Sequence, residues 1–272
     1  NRKMGKGETL RLLGRLRSVS LHPFLKSDDM PDEEYIAASA RLMSLFKQLD
    51  EVAARGEKAL VFVESLEMQR ILQFLIQRRY RLPHLPLVIN GEIMGDKRKS
   101  RVDQFQSKSG FDVMLLSPKA GGVGLTLTAA NHVFHLSRWW NPAVEDQCSD
   151  RVYRIGQTKP VHIYYMVARH PLFPGRSFDE RLHALLDEKR RLSRALLAPP
   201  AFSNKDFEDL LRQSVDEPDG PSGGNGAGGP ESGAGASGID PDGFDPHGID
   251  PQHFERWVLE QFRRHGYTVC AT

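Results

Sequence analysis

Gln147, Arg151 and Arg154 lie four and three residues apart, a spacing that would place three polar side chains on one face of a helix. A guanidinium stays charged at any physiological pH and can hold phosphate oxygens through two parallel hydrogen bonds, so paired arginines suit the stabilisation of a phosphoryl group. The same arginines could equally pair with Glu145, Asp146 and Asp150 on an exposed helix, and spacing alone leaves both readings open. A second stretch, Ser117 to Gly124, carries Lys119 and glycines at 121, 122 and 124. Glycines there let backbone amides approach a phosphate and the lysine adds a point charge, although tight-turn glycines are common in proteins that bind none. Trp139 and Trp140 follow downstream and are expected to serve packing more than base stacking. A calcium loop is suggested by Asp240-Pro-Asp-Gly, but its twelfth position is Pro251 where a bidentate Glu is needed, which argues against calcium.

These residues need a scaffold, and the hydrophobic pattern supplies one. Leu10 to Leu25 has helical spacing and is stopped by His22 and Pro23, and Asp32 to Arg55 reads as one amphipathic helix with Ile36, Leu42, Leu45, Leu49 and Val52 on its apolar side before Gly56. Strand and helix then alternate. Lys58–Glu64, Leu85–Asn90, Phe111–Ser117, His132–Ser137 and Val161–Val167 read as strands. Met68–Arg79, Asp96–Gln106 and Pro142–Ile155 read as helices, the last opened by Asn141 as N-cap and Pro142 at the first helical position. Short strands rich in Val, Ile, Leu and Phe between helices predict an α/β fold with a mainly parallel sheet covered on both faces. Loops at the carboxyl ends of such strands form the binding face, and Ser117–Gly124 is one of them. Phe178 to Leu197 is helical, with another short helix near Asp206–Gln213.

Composition changes after residue 215. Gly220–Gly238 is a flexible Gly-rich stretch followed by repeated Asp-Pro turns, and His253–Val269 resumes as an amphipathic helix with Phe254, Val258 and Phe262 aligned, capped by Gly266 before a strand begins. Eight of the 35 acidic residues and none of the 37 basic ones fall between Asp216 and Gln252, so the net charge of +2 hides a strongly basic body that suits a polyanion. Cys148 and Cys270 show neither disulfide nor zinc-ligand spacing, so no metal site is expected and a reducing compartment is the default. No apolar run could span a membrane, and Asn1–Leu10 lacks the core of a signal peptide. The chain opens without Met and reads as a fragment of a longer protein.

The run SPKAGGVGLTLTAANHVFHLSRWWNPAVEDQCSDRVYRIGQ, Ser117 to Gln157, resembles motifs V and VI of helicase superfamily two in its Swi/Snf-type branch of double-stranded DNA translocases. Leu116–Ala130 is similar to motif V, Trp139–Gln147 to the Trp-Asn-Pro segment after it, and Gln147–Gln157 to motif VI, whose Arg-Ile-Gly-Gln ending at Arg154 to Gln157 is typical of that branch. Upstream, Lys58–Ser65 resembles motif IV and Ile89–Phe105 the strand, glycine and helix element beyond it. Even Leu16–Leu25 resembles the helix leading into this lobe, so the resemblance covers Leu10 to Leu197.

That resemblance implies a RecA-like three-layer sandwich with a helical lead-in (1–56), the second helicase lobe (57–197), a short helical extension (198–215) and a linker (216–252). It implies that Arg151 and Arg154 face the γ-phosphate of ATP across an interlobe cleft, supported by Gln147, with Gly122 and Gly124 also at the nucleotide. Ser117, Lys119, Ala120 and Gly121 would line the DNA groove, and Asn90 and Gly91 would touch its backbone. Many relatives carry Asp before the tryptophans where this chain has Ser137 and Arg138. No GxxxxGK[ST] run or acidic Walker B set is found, so ATP and Mg2+ would be held mostly by a first lobe before Asn1, and the chain alone should not hydrolyse ATP. The partners implied are double-stranded DNA and that first lobe, with no membrane, in a bacterial cytoplasm at the nucleoid. Residues 253–272 resemble the start of an Mrr-like restriction endonuclease domain with Glu255 as an accessory carboxylate, which would fit restriction or phage defence. A strand-separating helicase and a degenerate DNA-binding lobe without ATP turnover are the alternative expectations.

Overall fold

Five-residue runs such as Lys58–Phe62 and Asp112–Leu116 are buried along their whole length, as strands must be when helices cover both faces of a sheet. The computed structural model describes residues 6–24, 26–27, 29–93, 95–121, 124–169, 175–195, 206–207, 209–210 and 268–271. Within them the chain runs α1 (Lys6–Leu21), α2 (Asp32–Ala37), α3 (Ala40–Ala54), β1 (Lys58–Phe62), α4 (Leu66–Tyr80), β2 (Leu87–Ile89), α5 (Gly95–Ser107), β3 (Asp112–Leu116), α6 (Pro118–Gly121), β4 (His132–His135), α7 (Pro142–Ser149), β5 (His162–Arg169), α8 (Phe178–Ala195) and β6 (Thr268–Ala271).

The sheet order is β2-β3-β1-β4-β5-β6. The first five are parallel neighbours, with Leu60 beside Met114 and Val133, and β6 closes the edge antiparallel to β5. Alternation along each strand sorts the core into two layers. Ala59, Val61, Val113, Leu115, Phe134 and Met166 join α2, α3 and α4 on one face. Leu60, Phe62, Met114, Leu116 and Val133 join α5, Leu127, Cys148 and Val152 on the other. The mainly parallel three-layer arrangement expected from the sequence is therefore present, and its core begins before residue 57, because α2 and α3 form part of one layer.

A buried polar knot holds the lead-in to the rest. Arg41 on α3 is 4% exposed and pairs with Asp179 of α8. It also donates to the Leu136 carbonyl at 2.7 Å and to Ser20 Oγ of α1 at 3.0 Å. The Asp179 carboxylate accepts from Ser20 Oγ and from the Ala168 amide of β5. Four elements thus share one ion pair.

Three expectations need correction. Asp32–Arg55 is two helices, because Ser39 leaves helical geometry to cap α3: its hydroxyl accepts from the Leu42 amide and donates to the Leu21 carbonyl. Residues Pro118–Gly121 form a turn of helix rather than an open Gly-rich loop. The helix from Pro142 stops at Ser149 instead of Ile155, since the Arg151, Val152 and Arg154 amides bond carbonyls only two or three residues back and close tight turns. The antiparallel seat of β6 on β5 was not anticipated from the sequence. The expected helix between His253 and Gly266, with Glu255, and the 216–252 linker lie outside the described residues.

Candidate functional site

The carboxyl ends of β1, β2, β3 and β4 open onto one rim. There Glu64, Gly91, Ser117, Pro118, Lys119, Ala120, Trp139 and Arg98 line a cleft of about 360 Å³, so four of the six residues expected at DNA are gathered in one place. Beneath it lies an amide the sequence reading missed. Gln69 of α4, 1% exposed, donates from Nε2 to the Val63 carbonyl and to Ser117 Oγ, both at 2.9 Å, and accepts from Asn90 Nδ2 at 3.1 Å. One side chain thereby fixes the ends of three strands. Its signal was a polar residue one turn from Leu72 and two from Ile76, on the buried side of α4. Asn90 is itself buried, and its Oδ1 accepts from the Glu92 amide, so its side chain builds the turn at Gly91. Gly121 closes α6.

Lys119 is exposed, with its ammonium 5.7 Å from the Trp139 ring. Arg17 of α1 lies over both indoles and pairs with Glu64 at 2.7 Å. Trp140 packs edge-on against Phe178 and Phe207, which is the packing role expected of it, whereas Trp139 is a wall of the cleft.

A second cleft of about 490 Å³ lies between α5 and the Gly124–Thr126 loop, lined by Arg98, Lys99, Asp103 and Gln106 among others. Arg98 belongs to both clefts. The DKRKSR run at the start of α5 was its sequence signal. Gly124 faces this second cleft, and Gly122 lies outside the described residues.

Arg151 and Arg154 occupy the turn beyond α7. Arg151 is 3% exposed, and its carbonyl accepts the Leu127 amide at 2.9 Å. Burial first, and the neighbouring Arg154 charge second, push its pKa down. Arg154 is exposed and held by two neutral acceptors, the Asp150 carbonyl at 3.1 Å and Thr126 Oγ1 at 3.2 Å. The two like charges therefore sit together beside the second cleft, a setting that favours a polyanion. Gln147 is exposed on α7 itself, and the end of the helix at Ser149 removes the shared helical face on which the three residues were expected. Of the three acids of the alternative reading, Glu145 and Asp146 pair with Arg190 of α8, whereas the Asp150 charge still acts on Arg151.

Arg138, part of the departure noted above, explains how α7 is held. Arg138 is 1% exposed and its Nε and Nη2 donate to both Glu145 carboxylate oxygens at 3.0 to 3.3 Å. The Trp139 amide adds a bond at 2.6 Å, Arg190 another at 2.7 Å, and His183 contacts the Arg138 guanidinium. Burial alone would raise the Glu145 pKa, but the Arg138 charge and these hydrogen bonds bring it below the usual value. His135 beside them, bonded to Ser149 Oγ at 3.0 Å, is pushed by burial to about 4 and stays neutral. Burial likewise pushes the Cys148 thiol up to about 12, so it packs and does not react.

Residues 41–156 match the helicase conserved C-terminal domain family. The chain is 34% identical over 214 residues to YwqA of Bacillus subtilis (strain 168), named as an ATP-dependent helicase/translocase, covering 77% of this chain and 22% of that protein. It is 38% identical over 210 residues to the Zorya protein ZorD of Escherichia coli O139:H28, covering 75% and 19%. The chain thus spans about a fifth of the length of these curated relatives. Among solved structures, the Sulfolobus solfataricus SWI2/SNF2 ATPase core domain superposes with a TM-score of 0.61 at 27% identity, covering 80% of this chain and 43% of that one. The same core in complex with dsDNA gives 0.57 at 26% identity, covering 78% and 40%.

Proposed function

Because the chain belongs, through its helicase conserved C-terminal domain, to the Swi/Snf-type helicases and translocases, we propose that it is the second motor lobe of an ATP-dependent double-stranded DNA translocase. In this role it presents Arg151 and Arg154 to a nucleotide held by another lobe and grips duplex DNA through the rim cleft. The observation that carries the reading is that, among the described residues, Arg154 lies beside the Arg151 charge and is bonded to a carbonyl and a hydroxyl rather than a carboxylate. Among the described residues no carboxylate pairs with Arg154, which leaves its charge to meet phosphate oxygens. These residues fit ATP, whose bound triphosphate with Mg2+ supplies the phosphoanhydride that drives the motor. The pinned turn of this chain orients Arg154 toward that phosphate and adds positive charge where negative charge develops. Half a site of this kind would not turn over ATP alone.

The DNA side of the proposal rests on the cleft shared by Lys119, Arg98 and the Gly91 turn, with Gln69 fixing the backbone behind them. Phosphate contacts of this type give sequence-indifferent, salt-sensitive binding. The folded Gln69 and Glu145 networks favour a working lobe over a degenerate one, since both hold the rim in a single geometry. Coupling to a nuclease rests on the resemblance of residues 253–272 alone.

DNA-stimulated ATPase of the full-length protein tests the reading. Arg154→Ala, at an exposed position, is expected to lower turnover about a thousandfold, in the range of arginine-finger losses. Arg151→Lys, which keeps charge but loses the planar fork, is expected to fall with it. Full turnover in both the Arg154→Ala and the Arg151→Lys proteins would show that no arginine finger operates from this turn.

A further inference from the structure

The turn that carries the arginine pair also carries the two most exposed large apolar side chains among the described residues. Tyr153 is 75% exposed and Ile155 is 104% exposed, while no other exposed large apolar residue exceeds 53%. A single exposed apolar residue is ordinary. Two in one short turn, flanking a functional cation, ask for a cause.

The turn is not free to fold them away. Val152, immediately before Tyr153, is fully buried in the core layer with Leu127 and Cys148. Arg154 is tied on both sides of its guanidinium to the Asp150 carbonyl and Thr126. Past Ile155, Gly156 takes φ 99°, which favours glycine, and Gln157 Nε2 donates to the Thr128 carbonyl at 3.1 Å and the Ala130 carbonyl at 2.8 Å. The backbone on either side of Ile155 is therefore pinned, and its side chain is aimed outward by construction.

On the reading that Arg154 meets phosphates held by another lobe, a rigid turn cannot deliver the guanidinium without bringing its sequence neighbours, whose Cα atoms are about 3.8 Å away, against that lobe. The geometry points to Ile155, with Tyr153 beside it, as the apolar anchor of the closed interface, seated in an apolar socket next to the phosphate site of the nucleotide-holding lobe of the same protein. Continuity with the arginine pair names this occupant, and the chain accounts for only about a fifth of the length of its curated relatives. An aromatic and an aliphatic anchor next to an arginine is also the composition that interface centres favour. The anchor makes closure and phosphate contact one event: the lobes gain apolar burial only in the position that delivers the charge.

The test uses the full-length protein with one fluorophore on each lobe, so that closure on adding a non-hydrolysable ATP analogue and duplex DNA is read by energy transfer beside ATPase turnover. Ile155→Ala is expected to lower both the closed fraction and turnover by about tenfold, the scale of losing one buried aliphatic side chain, with melting temperature and DNA affinity unchanged. Ile155→Met, which restores apolar bulk, is expected to recover most of both. Unchanged closure and turnover in Ile155→Ala would overturn the anchor. So would a parallel loss of DNA affinity, which would place the tip on DNA, or the loss of a concentration-dependent self-association, which would place it on a second copy. Arg154→Ala measured alongside separates the two proposals: if it abolishes turnover while Ile155→Ala is silent, only the anchor fails, and if it retains full turnover, the Arg154 reading fails first.

Discussion

At the scale of single residues, the buried charges of Arg138 and Glu145 hold one another, whereas Arg154 and Lys119 are exposed cations. Arg138, Glu145 and Arg190 form a buried cation-anion-cation row, with Tyr165 under both guanidiniums at 4.4 and 5.2 Å. The carboxylate is the only acid that keeps Arg138, 1% exposed, compatible with its surroundings among the partners described. Its removal should therefore cost more than a surface ion pair. Glu145→Ala is expected to destabilise the protein by about 3–5 kcal/mol, the usual loss on breaking a buried pair from one side, measured by urea denaturation. Glu145→Gln should recover little of it, because the lost quantity is charge rather than volume. A loss under about 1 kcal/mol, the range of exposed pairs, would mean that Arg138 finds another counter-charge or water. Arg154 belongs to the opposite class, an exposed cation with neutral partners, and its replacement should leave stability nearly unchanged while removing function.

At the scale of elements, what was legible in the sequence follows from what each pattern records. The strands could be read because burial on both faces leaves unbroken apolar runs such as Leu60–Val63 and Val113–Leu116. The loops of the rim could be located because the carboxyl ends of parallel strands face one side, which places Gly91, Ser117 and Lys119 around one cleft. Helix ends could not, since periodicity continues through a break that one hydrogen bond creates. Ser39 sits within an amphipathic pattern and shows its role only through its bonds to Leu42 and Leu21. The 147, 151, 154 spacing mimics a helix face, although the chain has already left the helix at Asp150. The pairing of β6 with β5, about a hundred residues earlier, has no local signature at all. Ser39→Ala tests the first of these points. It removes the α3 cap and the bond to α1 together, and a loss of about 1–2 kcal/mol is expected, the upper part of the N-cap range, read as a shift of the urea midpoint. A neutral result would show that the α2–α3 break is set by the flanking packing instead.

At the scale of the whole molecule, Arg98 is common to both clefts and Thr126 links the second cleft to Arg154. On the proposed function, α5 and the Gly124–Thr126 loop would connect DNA in the first cleft to the phosphates met by Arg154. The same reading also predicts how binding should depend on salt. Each phosphate neutralised by a protein cation releases counterions, so the logarithm of affinity falls with the logarithm of salt by about 0.9 per contact. Lys119 is the exposed ammonium of the first cleft, whereas Lys47 is exposed on α3, in the layer that covers one face of the sheet. In the full-length protein without nucleotide, Lys119→Ala is expected to reduce the salt slope for duplex binding by about 0.9, equally for DNA of unrelated sequences, and Lys47→Ala to leave it unchanged. Titration of a labelled duplex over a range of NaCl concentrations measures both. An unaltered slope for Lys119→Ala would move the DNA path off this cleft, and a slope that changed for one sequence only would mean that Lys119 reads bases rather than phosphates.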